Sequence, residues 1–347
     1  MKKVKLDWND ITIVPEVSSE ISSRSEINPF TENNSLPIFT APMDTVIDEF
    51  NYELFLENKI NVCLPRHIKD LSNKSNKENL DNVFFSYGLD EIEDLIDKRA
   101  KLPKKVLIDV ANGHMKRLMK VCTLLKFLYG DKIELMAGNI ANPETYRKYC
   151  EIGLDYVRVG IGSGSACTTS ANASIHYPMA SLVKECSDIA KKFNGKHTKI
   201  VADGGFKNYS DIIKALALGA DYVMLGGIFS KCLESCSSEF IIDNRNFKPI
   251  TREESIEYFK SGKDIYKYYR GMSTKEVQKF WNKKKLTTGE GISKYNKVEY
   301  ELSSWVDNFK DYLKSTMSYC GSLNLQEFIG EAQWVVISQM AFNRFNK

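Results

Sequence analysis

The chain has 347 residues, 43% of them hydrophobic, and a net charge of only +3; it can bury a large core, as one αβ barrel or two smaller domains, and carries no electrostatic footprint for nucleic acid. No apolar run reaches the roughly 18 residues of a membrane span, and the N-terminus lacks the apolar stretch of a signal peptide, which together predict a cytoplasmic protein without a membrane partner. Eight cysteines with no C-x-x-C pair and four scattered histidines favour reduced thiols over a disulfide framework or a zinc site.

After an N-terminal arm, strand-length apolar runs fall at 36–43, 60–64, 83–87, 105–110, 133–138, 156–160, 199–203 and 222–225. Helical patterns with apolar residues recurring at three and four occupy 49–58, 90–98, 114–128, 143–152, 179–193 and 208–218. Alternation of buried strands with helices predicts a parallel sheet, and eight units predict an α/β fold of the (β/α)8 TIM-barrel type. The period breaks between about 229 and 298, where a hairpin (240–242 and 247–250) precedes a lysine- and tyrosine-rich segment; this predicts an inserted hairpin and flap after strand 8. The lysine run at 283–285 reads as solvated flap. Helix returns at 302–314 and 326–333, so residues 1–347 read as one barrel domain with a C-terminal helical segment from about 299.

The chain is organised around 157–170, VRVGIGSGSACTTS. A β-rich run feeds Gly160, Gly162 and Gly164, whose backbone can approach an anion with its N–H groups or a cation with its carbonyls. A dinucleotide fingerprint needs G-x-G-x-x-G opening a helix with an acid about 20 residues on, and here a cysteine interrupts it. Cys167, flanked by Ser165, Thr168 and Thr169, reads as a catalytic thiolate or as a small buried hydrophobe; its loop setting favours the first. Active sites of barrels lie at the C-terminal ends of the strands. There the chain places Asp109, Asn112 and Gly113 after the fourth strand, Asn139 after the fifth, Cys167 after the sixth, Asp203 and Gly205 after the seventh, and Gly226 and Gly227 after the eighth.

GIGSGSACTT at 160–169 resembles the catalytic loop of the IMP dehydrogenase/GMP reductase family, in which the cysteine attacks C2 of a purine nucleotide. Further motifs resemble the family in order along nearly the whole chain: LDWNDITIVPEVSSEISSRSEI near the start, APMDTV (41–46), DVANG (109–113), MAGN (136–139), ADGG (202–205), MLGG (224–227) and YRGMS (269–273). Ser165, Gly205, Gly226 and Gly227 offer hydroxyl and backbone N–H groups for a 5′-phosphate. Asp203 offers a carboxylate for both ribose hydroxyls, its structural alternative being a cap. The resemblance implies that Tyr269, Met272 and Ser273 line the nucleotide, with backbone groups of the last two at the purine edge. It also implies that Glu290 is the flap glutamate, that the nicotinamide stacks beside Asp109, Asn112, Gly113 and Asn139, that carbonyls of Gly162, Gly164 and Cys167 hold a potassium ion, and that the barrels form a homotetramer.

Within the family, dehydrogenases hydrolyse the covalent intermediate with an Arg-Tyr pair on the flap, whereas reductases release ammonia and accept hydride from NADPH. Residues 274–291 hold neither arginine nor tyrosine, and 65–82 leave no room for the paired CBS module that most dehydrogenases carry. Ser273 after the GM pair and DVANG are also reductase-like. The sequence therefore points to an NADPH-dependent GMP reductase in which Cys167 attacks C2 and Thr169 and Glu290 handle the proton. The alternatives are an IMP dehydrogenase without CBS domains and a non-catalytic nucleotide-binding paralogue. Departures from the family are Ser163 for proline, Ser170 for arginine, Thr287 and Ile292 for the flap arginine and lysine, and an insertion at 251–264. Arg66 is a weak candidate for a cofactor 2′-phosphate, and otherwise reads as a surface arginine.

Overall fold

The structure, a computed structural model, describes residues 4–71, 80, 82–243, 245–280 and 288–345. Thr287, the lysine run at 283–285, and positions 72–79 and 81 of the segment after the second strand lie outside the described residues.

Eight short apolar strands form one parallel sheet: β1 (Ile38–Thr40), β2 (Val62–Leu64), β3 (Val83–Tyr87), β4 (Lys105–Asp109), β5 (Glu134–Ile140), β6 (Tyr156–Val159), β7 (Lys199–Asp203) and β8 (Tyr222–Leu225). Consecutive strands pair from β2 to β8, β8 pairs with β1, and a parallel bridge from Phe39 to Asn61 closes the ring. The closed sheet has no free edge. Its interior is filled by an aromatic plug in which Phe39 lies 5.6 Å from Phe84, 5.9 Å from Tyr156 and 4.9 Å from Tyr222. Outward-facing strand residues such as Val62, Val106, Leu135 and Val157 pack against the helices in the main core. This two-sided burial is why the strands read as continuous apolar runs rather than alternating ones.

The helices are α1 (Tyr52–Glu57), α2 (Leu89–Asp97), α3 (Lys116–Tyr129), α4 (Pro143–Ile152), α5 (Thr169–Ala173), α6 (Met179–Lys192) and α7 (Tyr209–Ala217). Local chemistry sets their ends. Asn142 caps α4 by accepting from the Glu144 amide, Pro143 occupies its first turn, and Gly153 closes it with φ 79°. Between β8 and the long helix Leu302–Tyr319 stands an antiparallel finger of β9 (Glu239–Asp243), β10 (Asn246–Ile250), β11 (Tyr266–Arg270) and β12 (Ser293–Lys297), in the order β10-β9-β11-β12. The 251–264 insertion is a helix, α8 (Arg252–Lys260), started by a Thr251/Glu254 capping box. Lys267 roots the finger: it is fully buried and donates to the Leu233 carbonyl at 2.7 Å, beside Glu239 at 3.1 Å.

Two expectations need correction. The first strand is three residues long instead of eight, because Pro37 and Pro42 bracket it and neither has an amide to give the ladder. The 326–333 segment is not one helix; only Leu325–Phe328 is helical, and Trp334–Val336 pairs antiparallel with Ile11–Ile13 of the N-terminal arm. Such a strand shows no period of its own and exists only through a partner at the other end of the chain.

Candidate active site

The catalytic loop begins where β6 meets β7. At Gly160 (φ +138°) a Cβ would stand 2.2 Å from the Asp203 carbonyl, so only glycine lets the two strand ends touch there. The loop turns back through a Cys167 N–H bond to the Gly164 carbonyl at 2.9 Å, and α5 starts two residues later. The returning end of the flap pairs with it: the Thr168 amide donates to the Glu290 carbonyl (2.9 Å) and the Ile292 amide to Ala166 (3.1 Å). Gly271 donates in turn to Ile292 at 3.0 Å. A Cβ on Gly271 would lie 2.6 Å from the Ala166 carbonyl, which explains the glycine of the YRGMS motif.

This pairing assembles a proton path from residues 121 positions apart. The Cys167 thiol donates to the Thr169 hydroxyl at 3.2 Å, and that hydroxyl donates to Glu290 Oε2 at 2.5 Å. Nucleophile, relay and acceptor thus form one line, the arrangement by which a carboxylate generates a thiolate or later returns a proton.

The path opens on a cleft of about 500 Å³ walled by Asn139, Arg158, Asp203, Met272 and Ser273, with Asp109 at its base. A smaller pocket shares Gly164, Asp203 and Tyr269 with it and adds Ser165, Gly205, Gly226 and Gly227. The expected phosphate residues are therefore brought together. Tyr269 is buried among them; burial pushes its phenol up to about 12, so it stays a neutral donor. Gln278 is buried on α9 (Lys275–Phe280) and lines the cleft, which a lone glutamine in a polar flap gave no means of foreseeing.

A largely buried charge network forms part of the cleft wall. Arg158 donates to Asp109 Oδ1 at 2.6 Å and to Asp203 Oδ2 at 2.7 and 3.1 Å. Asn139 donates to the same Asp203 oxygen at 2.6 Å and to the Gly160 carbonyl at 2.9 Å. Arg66 bonds Asp109 Oδ2 at 3.0 Å and the Asp109 carbonyl. The surface reading of Arg66 is thereby corrected: its side chain is 24% exposed and turned into the cleft wall. Burial alone would raise the Asp109 pKa, but the two guanidinium groups outweigh it and hold the carboxyl below its ordinary value. Arg158 was missed by sequence reasoning. The available signal was an arginine inside the apolar strand YVRV, where a charge needs a buried partner.

Two residues expected at the nicotinamide are not in the cleft wall. Asn112 is exposed and accepts from the His114 amide at 3.0 Å, making the turn before α3. Gly113 is buried, donating to the Asn139 carbonyl at 2.7 Å and accepting from the Tyr149 hydroxyl at 2.7 Å. A Cβ there would meet the Asn139 carbonyl at 2.6 Å. Gly113→Ala is accordingly expected to lower stability by about 1–3 kcal/mol through overpacking and to displace Asn139 from Asp203; thermal unfolding and activity should fall together.

The carbonyl set implied for potassium fits a cation poorly. Gly162 already accepts from the Ser170 hydroxyl at 2.8 Å and Gly164 from the Cys167 amide at 2.9 Å. Among the described residues, no group of three or more His, Cys, Asp or Glu side chains is placed to hold a metal ion. Nor is any described helix long and apolar enough to cross a membrane.

Fold and site define a (β/α)8-barrel enzyme with a thiol, a hydroxyl relay and a carboxylate at the C-terminal mouth. Residues 74–345 match the IMP dehydrogenase / GMP reductase domain. The chain is 31% identical to GMP reductase of Buchnera aphidicola subsp. Acyrthosiphon pisum (strain Tuc7), covering 99% of this chain and 98% of that protein. It is 28% identical to human GMP reductase 1 over 97% and 96% of the two chains. Against inosine-5′-monophosphate dehydrogenase of Chlorobaculum parvum, the identity is 34% over 67% of this chain and 45% of the relative. The chain belongs to the IMP dehydrogenase/GMP reductase family, oxidoreductases that act on purine nucleotides such as GMP or IMP.

Proposed function

We propose that the protein is a GMP reductase that converts GMP to IMP and ammonia with NADPH as hydride donor. The observation that carries this reading is the Cys167–Thr169–Glu290 line, joined to a flap (274–291) that holds neither arginine nor tyrosine to activate water. Curated relatives matching nearly the full chain under the name GMP reductase support it.

In the proposed reaction the phosphate lies against Ser165, Gly205, Gly226 and Gly227, while the ribose hydroxyls face the free oxygen of Asp203. Thr169 and Glu290 remove the Cys167 proton, and Sγ adds to C2 of the purine as the ring nitrogen takes a proton from solvent. The proton held at Glu290 returns through Thr169 to the 2-amino group, which leaves as ammonia and restores a C2=N bond in the thioimidate. The nicotinamide supplies the hydride. Once C2 carries that hydrogen, the C2–Sγ bond breaks and the ring nitrogen gives up its added proton, giving IMP and freeing the thiolate. The cofactor ring would lie along Asn139, Val110 and Ala111 beside Cys167; Asp109 has both oxygens engaged and acts beneath that wall as a support. No step passes through a monovalent cation. On the same reading, the protein works in the cytoplasm as a homotetramer of barrels.

The test pairs GMP with NADPH in one cuvette and IMP with NAD in another, following nicotinamide absorbance and released ammonia. Loss of NADPH with equal ammonia is expected. A rise with IMP and NAD would mean a dehydrogenase whose base lies elsewhere, and silence in both with nucleotide bound would mean a binding protein.

A further inference from the structure

Gly162, Gly164 and Cys167 carry the carbonyls that, in the family resemblance, surround potassium. We infer that in this chain protein donors replace that ion, so that the loop and its turnover are independent of monovalent cations; for turnover, this rests on the proposed reductase reading. Three carbonyls of the loop before Cys167 each have a donor. The ring of His176 donates to the Ile161 carbonyl at 3.0 Å, the Ser170 hydroxyl to Gly162 at 2.8 Å, and the Cys167 amide to Gly164 at 2.9 Å. Ser163 ties the loop's centre to the Asp203 carbonyl at 3.2 Å.

A cation stabilises such a loop by offsetting the mutual repulsion of converging carbonyl dipoles. A hydrogen bond places partial positive charge on the same oxygens, and a satisfied carbonyl gains less from an ion. Two of the three implied ligands are satisfied in this way, leaving the Cys167 carbonyl alone. The backbone is also close-packed at the α-carbon of Gly162 (φ +78°), where a Cβ would stand 2.9 Å from both the Ser170 side chain and the Ile175 carbonyl. Ser170 is where this chain departs from the family's arginine, so the donor belongs to this sequence in particular. It is a positioning residue, acting on Cys167 through the loop.

The experiment uses the full chain in potassium, sodium and tetramethylammonium chloride at equal ionic strength. Three readouts are taken: GMP-dependent NADPH oxidation, thermal unfolding, and the rate at which iodoacetamide alkylates the Cys167 peptide, measured by mass spectrometry. For the wild type all three should agree across the salts within about twofold. Ser170→Ala should lose about three- to tenfold in rate in tetramethylammonium, the size of one hydrogen bond, and regain it in potassium. Ser170→Thr, which keeps the hydroxyl, should behave as wild type. Potassium-specific activation or stabilisation of the wild type overturns the inference, as does a Ser170→Ala variant indifferent to salt. If no turnover is seen in any salt, the reductase reading fails while melting and alkylation still judge the loop.

Discussion

Cys167→Ala is expected to lower turnover of GMP by about 10⁴-fold or more, the loss typical when a covalent nucleophile is removed, while the affinity for GMP changes little. The expectation comes from the site's division of labour. The groups proposed to hold the nucleotide, namely Ser165, Gly205, Gly226, Gly227 and Asp203, lie along the smaller pocket, whereas Sγ donates to Thr169, which leads to Glu290. Removing the sulfur therefore removes the chemistry and leaves the binding surface. Single-turnover kinetics and calorimetric GMP binding on the same preparation separate the two. A variant that retains substantial turnover would show that C2 is not attacked by this thiol, and a large loss of affinity would show that the thiol holds the ground state.

The second large effect is on folding. Arg158→Met should cost about 3–5 kcal/mol at neutral pH, because removing one member of a buried ion cluster strands the others. Arg158 is 8% exposed and faces Asp109 at 14% and Asp203 at 15%; without it Asp109 keeps Arg66 while Asp203 keeps the neutral Asn139 amide and loses its guanidinium partner. The pH dependence has a definite sign. The Asp109 pKa lies below 3.8 in the folded protein, so its contribution is full above that ordinary value and is lost as pH falls through the depressed one. In Arg158→Met the burial that raises the pKa loses one of its two opponents and keeps Arg66, so acid unfolding should begin at a higher pH than in the wild type. Urea unfolding at neutral pH and an acid titration followed by circular dichroism measure both effects. Equal stability of the two proteins would mean that the cluster is solvated rather than buried.

Much of the site was readable as motifs because its residues stand at strand ends, and strand ends are marked by local pattern. Asp203 ends β7, the glycines at 226 and 227 follow β8 directly, and Cys167 sits on the glycine loop after β6, so knowing the barrel meant knowing the mouth. The same reasoning misplaced Asn112 and Gly113. They follow β4 in sequence, but the chain turns there into α3, and their polar groups are consumed by the turn and by Asn139 and Tyr149. Arg66 and Arg158 were undervalued because the worth of a charge depends on what faces it across the barrel, and those partners come from other strands.

By itself, the sequence determined the repeated strand-and-helix order, the apolar strands that close into a barrel, and the cysteine on its glycine loop. These follow from periodicity and backbone freedom within a few residues. Tertiary structure alone decided that Glu290 reaches Thr169, that two arginines and two aspartates share one buried cluster, that Trp334–Val336 pairs with the N-terminal arm, and that the Ser170 hydroxyl meets the Gly162 carbonyl. Each is a contact whose energy depends on distance in space, and distance in space between remote residues is set only when the barrel closes.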